Sequence, residues 1–293
     1  MAREMYSLRG QLSLSPQFSE DDCKEKVLDK AYSSSLENIK GNLAFDKTLN
    51  YYPIKLREID FKLADLSEIN LGNGIFKRFK LSEVNLSGSN LSETNFMQSD
   101  LTKANLSKTV LREANLWMAN LSGANLSESD LSGANLSECL LAGTCFKGAN
   151  LSKANLCESD FYFGRNDEGE PCYESSEYYY ADLRDTDLRE ANLEEAKLIK
   201  AKLNRSNLDG ANLVNINLCG SNLSGASLVN ADLRGADLSS VNLKNANLSR
   251  ADLSKADLTN TDLSGVNVSE AIFKRSIFTS TSKQDLINRG AIL

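Results

Sequence analysis

The chain contains no histidine, and this absence limits the chemistry that it can perform. Histidine is the commonest general base in enzymes and the usual nitrogen ligand of zinc. Six cysteines are present but none belongs to a CxxC pair, so we expect reduced, mostly structural thiols and predict no metal or cofactor. Because serine and cysteine hydrolases commonly rely on a histidine base, we predict that the protein is not an enzyme.

Long apolar runs are also absent. None approaches the roughly 18 residues that would cross a bilayer, and the opening MAREMYSLRG lacks the apolar stretch of a secretory signal. We therefore predict no membrane association and a cytoplasmic location. The net charge is −7 and no basic stripe with interleaved aromatics is evident, so direct nucleic-acid binding is not expected.

A five-residue repeat dominates the chain. With the central apolar residue as position i, the register runs from Leu56 to Phe161 in 22 units and from Leu183 to Phe278 in 20 more, and position i is Leu or Phe almost throughout. Position i−2 is small or β-branched, position i−1 is usually Asn or Asp, and positions i+1 and i+2 are variable and polar. We expect positions i and i−2 to point inward and the other three to face water.

This period matches neither an α-helix nor a flat strand, so the chain must turn every five residues. Asn and Asp tolerate turn geometry and bond nearby backbone groups, and we attribute the corner to them. Each unit then forms one short side and a corner, and four units close a coil of about 20 residues that pairs with its neighbours like a strand. A large side chain at position i−2 is expected to overpack the coil.

The repeats resemble the pentapeptide-repeat family, whose consensus A(D/N)LXX appears as ANLS at 124–127 and 134–137 and as ADLS at 251–254. The resemblance implies an all-β solenoid, namely a right-handed quadrilateral β-helix, to which we add short α-helical caps at both ends. About ten coils at a strand spacing of about 4.8 Å would give a rod about 50 Å long.

We divide the chain where the repeat starts, fails and ends. The expected parts are an N-terminal segment at 1–53 with a capping helix at about 19–40, a first repeat block at 54–163, an acidic tyrosine-rich insertion at 164–180, a second block at 181–280 and a C-terminal capping helix at 281–293.

The C-terminal segment is expected to cover the last coil. Ser282 is the predicted N-cap and Gly290 the predicted terminator of a short helix through Asn288. Apolar cover is expected from Leu286, Ile287, Ile292 and Leu293. A lid is one interpretation, and the other is a homodimer through this terminal cap, as the resemblance to topoisomerase-protecting relatives implies. A monomer and a homodimer both stay open.

The insertion is the first candidate binding region, with a net charge of −4. Loops on rigid scaffolds often carry function. The alternative is a solvated insertion whose tyrosines pack back on the wall. The candidate partner-binding residues here are Glu168, Glu170, Tyr173, Tyr178 and Tyr179.

The second candidate is an apolar spot on the polar exterior. A coil of about 20 residues brings residue n beside n+20, so Met97, Trp117 and Met118 should adjoin. The only Trp of the chain flanked by two Met is typical of a protein-contact hot spot. The alternative is that the insertion or the N-terminal segment covers these three residues.

We therefore predict a non-enzymatic scaffold whose partner is another protein, and a regulatory role is one interpretation of it. It is similar in this respect to cyanobacterial pentapeptide-repeat proteins, some of which modulate cell differentiation. The alternative is a DNA-mimicking protein that binds gyrase, a topoisomerase, and protects it from quinolones. In either block the outward charges of each face sum to between −2 and +1, so no acidic stripe of that kind is predicted.

Overall fold

The computed structural model describes residues 65–161, 180–279 and 283–293, and the repeats in these ranges form one stack of coils. Parallel bridges join residues 20 positions apart, as between Asn85 and Asn105. Near the end of the stack the bridges lengthen into strands β1 (Asp257–Leu258) and β2 (Ile277–Phe278), with Asp257 opposite Ile277. The predicted repeat solenoid with a 20-residue coil is confirmed.

One repeat unit, residues 101–105, shows how the coils are held together. The backbone N–H of Leu101 donates to the carbonyl of Asn120 in the next coil at 2.8 Å, and that of Asn105 donates to Val84 in the preceding coil at 2.8 Å. Between them, the N–H of Ala104 donates to the carbonyl of Leu101 at 3.0 Å and closes a four-residue turn. Each unit is thus bonded to both neighbouring coils and to itself.

The corner of the coil lies at positions i+1 and i+2, which corrects the prediction that Asn or Asp forms it. Lys103 at i+2 has φ 56°, and positive φ occurs at this position in 28 described residues other than glycine. Asn105 at i−1 instead lies in a bridge, where its Oδ1 accepts the N–H of Ser107 at 3.2 Å. The amide must precede the corner, because its oxygen bonds the backbone two residues onward.

The core contains the two positions that the sequence placed there. Leu116 at position i and Ala119 at position i−2 are both fully buried. Where i−2 is a small polar residue, its hydrogen is donated to a backbone carbonyl, as from Ser99 Oγ to Phe96 O at 2.6 Å and from Cys139 Sγ to Leu116 O at 3.0 Å. Burial raises the pKa of the Cys139 thiol to about 12, so this cysteine is a structural thiol.

The first described coils depart from the rule that position i−2 must be small. Phe79 occupies it and is buried, which corrects the expectation that a large side chain there overpacks the coil. It packs against Phe76 in a T-shaped contact with ring centroids 5.5 Å apart. The preceding i−2 residue is Gly74, where a Cβ would lie 2.5 Å from the Phe76 ring. The missing side chain at Gly74 thus makes room for this aromatic pair.

The two repeat blocks join without a gap in the stack. Cys145 bridges Asp182, and Phe146 N donates to Asp182 O at 2.7 Å. Along this junction the bonded residues are 37 positions apart instead of 20, so the chain between Phe161 and Ala181 contains 17 extra residues. Residues 162–179 lie outside the described ranges, but the coils on either side are bonded directly to each other.

A short helix, α1 (Lys283–Asn288), follows the last full coil. Leu286 is buried in the core, and Gly290 has φ 87° where the helix ends. Arg289 Nη1 donates to the carbonyls of Leu263 at 2.8 Å and Val266 at 3.1 Å, which belong to the coil beneath.

Apolar cover at this end is smaller than predicted. Ile287, Ile292 and Leu293 are exposed, and Leu286 is the only buried residue of the helix. Ile292 instead continues the stack by bridging Ile272. Ser282 and the predicted N-terminal helix at about 19–40 lie outside the described residues. Within the described ranges, no helix has the length and apolarity needed to cross a bilayer.

Candidate functional site

Met97, Trp117 and Met118 lie at one corner of the rod in adjacent coils. The backbone N–H of Gln98 donates to the carbonyl of Trp117 at 2.9 Å, which fixes the Met97 unit beside the Trp117 unit. Met118 in turn donates its N–H to Ser137 O in the next coil at 3.1 Å. These three sequence candidates therefore share one surface.

The Trp117 ring is held against the next coil by a hydrogen bond. Its Nε1 donates to Glu138 Oε1 at 3.0 Å, while the ring remains half-buried. Met118 is 42% exposed, although its sulfur accepts a long hydrogen bond from Gln98 Nε2 at 3.7 Å. A fixed indole beside a flexible thioether offers a partner both a rigid anchor and an adaptable contact.

Leu140 extends this surface and was missed by the sequence analysis. It occupies position i−1, where Asn or Asp is usual, and is 51% exposed. Its N–H donates at 3.1 Å to the carbonyl of Ala119, the residue after Met118. The feature of the sequence that indicates this exposed residue is a Leu at an outward position of the repeat. We name Met97, Trp117, Met118 and Leu140 the apolar patch.

Four glutamates lie beyond the apolar patch along the same corner. Glu138 N donates to Cys157 O at 3.0 Å, and Glu158 N donates to Glu194 O at 2.9 Å across the insertion. We name Glu138, Glu158, Glu194 and Glu195 the glutamate cluster. The pKa of the Cys157 thiol between them is raised, first by burial and then by the negative charges of all four.

None of the carboxylates of the glutamate cluster forms a salt bridge with a described residue, although Glu194 Oε2 accepts a hydrogen bond from Asn212 Nδ2 at 3.2 Å. The cluster was not predicted from the sequence, because the insertion separates Glu158 from Glu194 and the outward charges of each repeat block were summed alone. Residues 37 positions apart lie in adjacent coils across the insertion, and applying this offset to the sequence would have placed Glu158 beside Glu195.

Several acidic residues elsewhere in the second block are paired with arginines. Arg184 Nη2 lies 2.6 Å from Asp182 Oδ2, and Arg205 Nε lies 2.7 Å from Asp185 Oδ1. The hydrogen bond from Arg205 lowers the pKa of Asp185 below its usual value.

The remaining candidates lie in the insertion. Glu168, Glu170, Tyr173, Tyr178 and Tyr179 are outside the described residues, so their role stays a prediction. In the ranges that the structure describes, no group of three or more potential ligands could hold a metal ion, and Cys139, Cys145, Cys157 and Cys219 are free thiols.

The stacked coils and their regular corners define a repeat solenoid. The model of the family described as Pentapeptide repeats matches eight copies, at residues 80–117, 119–162, 179–213, 201–240 and 242–279. The chain belongs to the pentapeptide-repeat family, as its repeats predicted.

Several solved structures are similar to this chain. HetL, a pentapeptide repeat protein involved in heterocyst differentiation regulation from the cyanobacterium Nostoc sp. strain PCC 7120, is 32% identical, with 77% of this chain and 95% of that chain covered and a TM-score of 0.37. QnrB1, a plasmid-mediated fluoroquinolone resistance protein, is 20% identical, with 78% and 100% covered and a TM-score of 0.34. Rfr23 from the cyanobacterium Cyanothece 51142 is 28% identical, with 45% and 86% covered and a TM-score of 0.28. A search of the curated proteins found no match.

Proposed function

We propose that the protein is a non-enzymatic scaffold that binds another protein through the apolar patch. The observation that carries the proposal is the exposure of Met118 and Leu140 beside the half-buried ring of Trp117, on a wall that is otherwise mostly Ser, Asn and charged residues. Aromatic residues surrounded by apolar neighbours dominate the binding energy of protein interfaces.

The rigidity of the wall supports this proposal. The N–H of Trp117 donates to Asn115 Oδ1 in its own coil at 3.1 Å, its carbonyl accepts from Gln98 N in the preceding coil at 2.9 Å, and its Nε1 donates to Glu138 in the next coil. A surface ordered before binding loses little conformational entropy when the partner docks. The patch can therefore bind as formed.

The hydrogen bonds made by the buried Ser and Thr hydroxyls support the proposal that the protein is not an enzyme. The buried Ser and Thr side chains at position i−2 donate to backbone carbonyls, as Thr109 Oγ1 does to Leu106 O at 2.6 Å and Thr186 Oγ1 to Phe146 O at 2.9 Å. A hydroxyl used in this way satisfies a buried carbonyl and has no neighbouring base to activate it.

The proposal includes finer features of the sequence prediction. We take the coil to be right-handed and both ends to carry helical caps. We place the protein in the cytoplasm, as a monomer or as a homodimer through a terminal cap. The competing function, gyrase binding by DNA mimicry, would be supported only if the purified protein protected gyrase from quinolones in a supercoiling assay.

Affinity capture with matched variants tests the scaffold proposal. The tagged full-length chain, the double variant Trp117→Ala with Met118→Ala, and a control with Ser107→Ala and Lys108→Ala are compared for the proteins they recover. The control changes the same two corner positions on the opposite side of the coil. We expect a partner that the wild type and the control recover equally and the double variant loses, with the Tm unchanged.

Equal recovery by the double variant would reject the apolar patch as the binding surface. A lowered Tm in the double variant alone would instead mean that Trp117 serves the fold. Circular dichroism melting of all three proteins separates these outcomes.

A further inference from the structure

We propose that the segment docking on the apolar patch carries lysines or arginines next to its apolar anchor, and that these cations lie over the glutamate cluster. This inference rests on the proposed function and specifies the chemistry of the partner. It makes the interface a single strip along one corner of the rod, apolar at one end and acidic at the other.

The strip is continuous because consecutive coils are bonded along it. Gln98 N donates to Trp117 O, Met118 N to Ser137 O and Glu138 N to Cys157 O, so each i+2 residue of the corner is bonded to the i+1 residue of the next coil, 19 positions later. The bond from Glu158 N to Glu194 O extends the strip across the insertion. The carboxylate of Glu138 also binds Trp117 Nε1, so the apolar and acidic parts touch at this residue.

The charges of the strip are left for a partner. A stack of like charges at strand spacing is unfavourable, and the four glutamates have no salt bridge among the described residues. In the same region, Lys197 Nζ is engaged 3.3 Å from Asp160 Oδ2, and Arg234, two coils beyond Glu194, is paired with Asp232 at 2.6 Å. Cationic side chains of a bound segment would relieve this repulsion while their apolar neighbours contact Trp117.

The opposite end of the corner gives the strip a direction. Lys77 and Arg78 precede Met97 and Gln98 by one coil, with Arg78 N bonded to Met97 O at 2.9 Å. From Lys77 to Glu195 the corner is thus basic, then apolar, then acidic, and two coils further on it carries Arg234. A segment with its basic cluster over the glutamates is favoured in one orientation, since the reverse would place that cluster against Lys77 and Arg78.

A protein segment fits this strip better than the other candidates. Nucleic acid and anionic lipid would be repelled by the glutamate cluster. The chain's own insertion at 164–180 has a net charge of −4, so it does not complement the cluster either.

Fluorescence offers a direct test, because Trp117 is the only Trp in the chain. The full-length protein is titrated with two synthetic peptides that share a Leu-Phe-Leu centre and differ only in a following run of four lysines or four glutamates. We expect the lysine peptide to change the Trp117 emission at low salt and to bind about tenfold more tightly than the glutamate peptide. Raising the salt should weaken the lysine peptide more.

Two variants locate the charge effect. In the triple variant Glu158→Gln, Glu194→Gln and Glu195→Gln, we expect the lysine peptide to bind about tenfold more weakly and with less dependence on salt. Glu138 is left in place because it holds Trp117. The control, Glu93→Gln with Glu113→Gln, removes two stacked glutamates from the same position of the repeat on another side, and should bind like the wild type.

Equal binding of the two peptides, or wild-type binding by the triple variant, would overturn the inference. So would a change of Trp117 emission in the unliganded triple variant with no response to either peptide, since the chain itself would then cover the cluster. If a captured partner is lost by the Trp117→Ala and Met118→Ala variant but kept by the triple variant, the scaffold proposal stands and only the charge inference fails.

Discussion

The corner that carries Trp117 and the corners that begin the second block use the same turn but treat charge in opposite ways. At the second block, Asp182 and Asp185 are neutralised by Arg184 and Arg205 within salt-bridge distance. At the Trp117 corner, the glutamate cluster has no such partner in the described part of the chain. The difference indicates that paired corners stabilise the wall, whereas the unpaired corner is available for binding.

The cores behind the two regions are alike. Substituting one core residue in each region would test whether the difference in charge pairing is confined to the surface. Leu116 and Leu233 lie on the same side of the coil, one in each block, and both are fully buried. We expect Leu116→Ala and Leu233→Ala each to lower the free energy of unfolding by about 2–5 kcal/mol, because each leaves a cavity. Urea unfolding of both variants measures this decrease in the free energy of unfolding, and a clearly smaller decrease at one site would show that the cores differ.

Met118 sharpens the comparison, because its backbone is in the left-handed region with φ 56°. Glycine adopts this conformation without strain, whereas other residues lose about 1–2 kcal/mol. We expect Met118→Gly to be about 1 kcal/mol more stable than Met118→Ala, while both lose the same side-chain contact with a partner. Thermal unfolding gives the stability difference. Equal stabilities would mean that the corner is not strained.

Removing one charge from each region should have opposite effects on stability. We expect Asp182→Asn to lower the free energy of unfolding by about 0.2–1 kcal/mol, since it breaks a partly exposed ion pair. Glu158→Gln should raise it by a few tenths of a kcal/mol, because it relieves like-charge repulsion. Urea unfolding at low salt compares the two. A destabilising Glu158→Gln would show that this glutamate already has a stabilising partner.

Acid should remove the stabilisation that the paired aspartates contribute. Hydrogen bonds from Arg189 and Arg234 hold the pKa values of Asp187 and Asp232 below their usual value. Their contribution is therefore complete above the unfolded pKa of about 3.9 and is lost as the pH falls through the lower folded values.

The matching experiment compares the wild type with the double variant Asp187→Asn and Asp232→Asn. We expect the wild type to be more stable at pH near 7, and the gap to close as the pH falls below about 4. A gap that stays constant with pH would mean that the ionised state of the two carboxylates is not what stabilises the wild type.

Much of the fold could be predicted from the repeat, but two local assignments could not. The predicted position of the corner was wrong because Asn and Asp are common both within turns and at the position just before a turn. Only the φ values separate these two roles. The prediction that a large side chain at position i−2 overpacks the coil was wrong at Phe79, because the missing side chain at Gly74 leaves room for its ring pair. Such compensation between two units is invisible to a rule about one unit.

The candidate surface was partly predictable for a related reason. The 20-residue coil placed Met97 beside Trp117 by arithmetic alone, and both lie within one uninterrupted block. Leu140 was missed because the search followed positions i+1 and i+2, and it occupies i−1. The glutamate cluster was missed because its members come from both blocks.

By itself, the sequence determined the period, the inward residues and the neighbours within each block, because a strict repeat repeats its contacts. Only the tertiary structure decided which coils meet across the insertion, since 17 extra residues can be accommodated at any corner without changing the repeat on either side. It also decided which carboxylates find an arginine. That choice depends on side-chain reach within a unit, as from Arg184 to Asp182, and between coils, as from Arg205 to Asp185, and it separates the paired corners from the one that carries Trp117.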